Sequence, residues 1–123
     1  MGAKKAEFTE EELSEALKVI TSAIGRCEKM QPKFAVGSSQ HSLLRNRLKA
    51  LYLSKALMSG EGTRERYTGK DLAASVVSIS SIISKTQKAQ SKQEVGSVWY
   101  RRHEAMIKAM QLAKSFLDDE IDE

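Results

Sequence analysis

The sequence predicts an all-α fold, an up-down-up-down four-helix bundle built from two tandem helical hairpins. Three observations lead there. The chain matches itself at an offset of 59 residues, apolar side chains recur at spacings of three and four, and a Val-Gly-Ser break falls midway through each copy. Without gaps, residues 8–61 lie over residues 67–120, and 16 of the 54 pairs are identical. Helical periodicity alone can align any two amphipathic segments. It would not also bring the Val-Gly-Ser breaks and the Thr caps into register. The expectation is therefore one domain over 1–123, made of unit 8–61 and unit 67–120, with a linker at 60–67.

The first helix opens at Thr9, followed by Glu10, Glu11 and Glu12. A hydroxyl at the N-cap and a carboxylate three residues on form a capping box, and Phe8 can fold back on Leu13 as a hydrophobic staple. Acidic side chains in a first turn also meet the positive end of the helix dipole. Leu13, Ala16, Leu17, Ile20, Ala23, Ile24, Cys27 and Met30 then mark one face. Pro32 ends or kinks this helix, because the residue before proline avoids the α region. In the second unit Tyr67, Thr68, Asp71 and Leu72 repeat the opening, and the apolar stripe ends near Thr86.

Gly37 and Gly96 suit the left-handed position past a helix end, and Ser38 and Ser97 suit the following N-cap. The second helices are expected over roughly 39–59 and 98–118. Leu43, Leu44, Leu48, Leu51 and Met58 form the stripe of one. Trp99, Met106, Ile107, Met110, Ala113, Phe116 and Leu117 form that of the other. Residues 1–7 and 119–123 are expected to fray. A bundle of this kind can be a monomer or a homodimer.

Composition excludes several classes. Hydrophobic residues are 41% and charged residues 29%, the balance of a globular protein rather than a disordered chain. No apolar run approaches the ~20 residues that span a bilayer, so no membrane partner is expected. Met1–Lys5 leads into acidic sequence without an apolar core, so no secretory signal is expected, and a cytoplasmic location follows by default. The single Cys27 makes no internal disulfide and reads as a small core residue.

The chemistry-bearing inventory is short. His41 and His103 are not copies of each other, and no His-x-x-His, Glu-x-x-His or Cys-x-x-Cys spacing occurs, so neither metal nor cofactor is expected. No catalytic constellation stands out, which points away from an enzyme. Departures between the copies are more informative. Arg47 stands in an apolar stripe where the other unit has Met106, and Arg102 and His103 replace Leu43 and Leu44. Such residues either reach water at the bundle mouth or build a polar pocket able to hold an anion.

Charge is unevenly spread. The total is +4, yet residues 16–117 carry 18 basic and 6 acidic side chains, a net of +12 between two acidic ends. Arg45, Arg47, Lys49, Arg101, Arg102 and His103 are candidate contacts for an anion or nucleic acid, and Tyr52, Trp99 and Tyr100 are candidate aromatic contacts. The leading expectation is a module that binds another protein, since helix faces and grooves are what a bundle offers. Nucleic-acid binding through the basic face is the alternative, and an enzyme or small-anion binder with a polar pocket is the second.

Overall fold

The computed structural model describes residues 8–61 and 66–122, and every regular element among them is helical. Helix α1 spans Glu10–Met30, a 3-10 turn Gln31–Lys33 comes next, and α2 spans Ser39–Met58; α3 spans Gly69–Gln90 and α4 spans Val98–Asp122. Residues 1–7 and 123, where fraying is expected, and the centre of the expected linker, 62–65, lie outside the described residues.

Local chemistry sets the boundaries. At the start of α1, Thr9 Oγ1 accepts from the Glu12 backbone N–H at 3.0 Å, and Glu12 Oε1 accepts from the Thr9 N–H at 2.8 Å. Thr68 and Asp71 form the same reciprocal pair at the start of α3, at 3.1 and 2.9 Å. Helix α1 ends just before Gln31-Pro32, but not for the expected reason: Gln31, ahead of the proline, keeps α-region angles (φ −55°, ψ −45°), and Pro32, which has no N–H to donate, sits inside the 3-10 turn that follows. Gly37 and Gly96 then take φ of +93° and +86°, where a side chain would be strained. Ser38 Oγ accepts from the His41 N–H, and Ser97 Oγ from the Tyr100 N–H, capping α2 and α4.

Two helices run further than their apolar stripes. Helix α3 continues past Thr86 to Gln90, since Gln87, Lys88 and Ala89 favour helix without needing burial. Helix α4 includes 119–122 rather than fraying there, and Lys114 bonds Asp118 one turn on at 3.5 Å.

Each helix packs on the next in the chain, α1 returns to pack on α4, and α2 also touches α4 across the middle, whereas the backbones of α1 and α3 stay apart. The Phe8 ring lies 5.5 Å from that of Phe116, while Arg26 and Trp99 share a groove at the other end. Helices α1 and α4 are therefore antiparallel, and the two glycine turns lie at the same end. Ile20, Leu51, Leu53, Ile79, Met110 and Leu117 are fully buried at the centre.

Helix α2 departs from the expected single stripe. Leu43 is exposed, whereas Ala50, Leu51, Leu53, Ser54, Ala56, Leu57 and Met58 are all buried. Nearly every side of its second half is covered because α2 is packed by α1, α3 and α4 at once.

Candidate functional site

The sequence-predicted residues separate into groups. On α2, Arg45, Lys49 and Tyr52 line a shallow groove with Glu28, Gln31, Leu48 and Tyr67. The Tyr52 hydroxyl donates to Glu28 Oε2, and this bond to a carboxylate raises the phenol pKa, since a phenolate there would face a second negative charge. Lys49 Nζ lies 2.7 Å from Asp71 Oδ1, tying α2 to the first turn of α3. That ammonium, with the Thr68 N–H bond, holds the Asp71 carboxyl below the usual carboxylate range. These side chains are largely occupied with one another.

Arg47 is half-buried near Cys27, and its Nε is enclosed without a hydrogen-bond partner. Burial raises the Cys27 thiol pKa, and the positive charges of Arg47 and Arg26 oppose that rise. Tyr100 is held at the turn, where Gln90 Nε2 donates to its carbonyl at 3.3 Å and to Glu104 Oε1 at 2.7 Å. Arg101 is exposed and lines a groove of its own between α1 and α4, alongside Glu104 and Lys108.

The remaining three residues come together. Trp99, Arg102 and His103, from the first turns of α4, line one wall of a groove of about 770 Å³. Lys18, Ser22 and Arg26 of α1 form the other wall, Thr86 of α3 closes one edge, and Val19, Ala105 and Met106 add apolar surface. Periodicity places Trp99 on an inward stripe. It is instead 58% exposed, since a first-turn residue can project past the neighbouring helices. The Arg102 guanidinium lies 5.0 Å from the centre of its ring, a cation–π contact that orients both groups.

His103 is half-buried, and its Nδ1 is enclosed without a hydrogen-bond partner. Thr86 donates its hydroxyl to the Ile82 carbonyl at 2.7 Å, and Arg26 Nη1 donates to Ser22 Oγ at 3.0 Å. Glu15 is the one acidic residue lining the groove, against Lys18, Arg26 and Arg102. The groove is thus cationic, and the start of α4 adds the positive end of a helix dipole. Arg47 is not part of its wall.

Sequence reasoning missed Lys18, Ser22 and Arg26. Their spacing of four puts them on one helix face, a polar stripe beside the apolar one, and that pattern is visible in the sequence. Thr86 and Met106 enter through packing and had no such signal. Among the described residues, no group of three or more His, Cys, Asp or Glu side chains could hold a metal ion. No helix among them is long and apolar enough to cross a membrane. Comparison with protein families, with curated proteins and with solved structures finds no match to this chain.

Proposed function

We propose that this chain is a protein-binding module and that the Trp99 groove is its docking surface. One observation carries the reading: the only tryptophan of the sequence is more exposed than covered, with Arg102 stacked on it, above apolar surface from Val19, Ala105 and Met106. Tryptophan and arginine are the residues that most often anchor protein interfaces, and methionine adapts to the shape of a partner. A photo-crosslinking amino acid at position 99, used in the native cell, tests this. Capture of one defined protein, lost with Arg102→Ala, is the expected result; no adduct above the background of an exposed control position rejects it.

Nucleic-acid binding is the second reading, favoured by the +12 net charge of residues 16–117 and by the Arg-stacked indole. It demands RNA or DNA affinity that falls steeply with added salt.

The fold is read as one domain, an up-down-up-down bundle of two duplicated hairpins. This is supported by capping boxes at Thr9 and Thr68, positive-φ glycines at 37 and 96, and serine caps at 38 and 97, each pair 59 residues apart.

A further inference from the structure

We infer that the Trp99 groove receives the C-terminal end of α4 from a second copy of this chain, giving head-to-tail association. The inference rests on reading the groove as a protein-docking site and names its occupant.

The groove beside the glycine turns and the last turn of α4 carry opposite charge. At the end bearing the glycine turns, Lys18, Arg26 and Arg102 converge on one groove with an exposed Trp99 and only Glu15 opposing them. At the opposite end, the last turn of α4 continues beyond the Lys114–Asp118 pair with Asp119 and Asp122 and holds no basic residue. Carboxylates at a helix C-terminus meet the negative end of the dipole, and here Glu10, Glu11 and Glu12 begin the helix packed alongside. In the middle of that acidic turn, Ile121 is 45% exposed.

The groove therefore calls for an acidic segment with an apolar side chain, and the end of α4 is one. Docking would place Ile121 against Trp99 and Met106 and set Asp119 and Asp122 against Lys18, Arg26 and Arg102. Because groove and tail are different surfaces, the contact is heterologous and extends into chains or closes into rings.

Sedimentation velocity on the full chain tests this with a tail variant, Ile121→Asp, and a groove variant, Arg102→Glu, each checked for unchanged helicity by circular dichroism. The wild type should gain mass from micromolar to millimolar concentration, and less so at high salt. Each variant alone should stay monomeric. Mixed, they should form a 1:1 pair and nothing larger, because the Arg102→Glu chain keeps its tail and the Ile121→Asp chain keeps its groove. A peptide of residues 112–122 should shift the emission of Trp99. A wild type that is monomeric throughout, or an Arg102→Glu chain that assembles as the wild type does, overturns the inference. If an unrelated acidic peptide shifts Trp99 emission and the 112–122 peptide does not, self-association falls while the groove remains a docking site. If neither peptide shifts it and an oligonucleotide does, both fall.

Discussion

The two hairpins share their punctuation and differ in the residues just beyond it. Residues 8–61 and 67–120 open with the same capping box, turn on a glycine with φ near +90° and restart on a serine cap. Directly after that cap they diverge. In α2, Leu44 is buried and the helix goes on to be covered on nearly every side. In α4, the residues at the positions of Gln40, Leu43 and Leu44 are Trp99, Arg102 and His103, which line an open groove. One hairpin commits its second helix to the core, and the other turns the start of its second helix outward. Where shared residues fix a turn, the unshared ones are free to make a surface.

The comparison can be broken most forcefully in the core. Ile20 and Ile79 are each 0% exposed and lie 59 residues apart. Ile20→Ala and Ile79→Ala should each cost about 2–5 kcal/mol in urea denaturation. Losses within error of each other fit equivalent packing, and losses far apart mean that one hairpin dominates stability. A subtler test uses Ser54, fully buried with no partner for its hydroxyl, at the position where the second hairpin has Ala113. Ser54→Ala should raise stability by about 1–2 kcal/mol, because removing an unsatisfied buried hydroxyl removes its desolvation penalty. A loss instead would mean that the hydroxyl is bonded in solution.

Smaller still are the caps. Thr9→Ala and Thr68→Ala should each lower stability by about 1 kcal/mol. The smallest effect is electrostatic and distinguishes the hairpins. Asp71 is held by Lys49 below its ordinary range, an ion pair that Glu12, at the same place in α1, does not make among the described residues. A carboxyl depressed in the folded state contributes stability above the unfolded pKa of about 4, lost as pH falls through the lower folded value. Acid titration of the wild type should show that loss, and Lys49→Met should shrink it.

Turns and caps were legible in the sequence because their chemistry is local. A threonine with a carboxylate three residues on, or a glycine before a serine, carries its own geometry wherever the chain places it. Helix identity was legible for a similar reason, through spacing. Burial of α2 left a signal that the single-stripe reading passed over: Leu51 and Leu53 stand on opposite sides of a helix, as an all-round buried segment requires, although which helices cover them depends on three others converging on one segment. Trp99 misled in the opposite direction, since its wheel position is correct and the surrounding helices leave it uncovered. The site was half visible: Arg102 and His103 stood out as polar residues at apolar positions, while Lys18 and Arg26 resembled ordinary solvated cations until α1 was set against α4.

The burial of α2 also constrains how the chain can reach this structure. Its second half needs α1, α3 and α4 together, so the hairpin 8–61 released alone would leave Leu53, Ala56 and Leu57 without full cover. The packing between the hairpins predicts that they unfold as one cooperative unit. Cutting the chain at the linker should yield two fragments that are poorly ordered apart and helical when mixed, with unfolding of the intact protein proceeding in a single step.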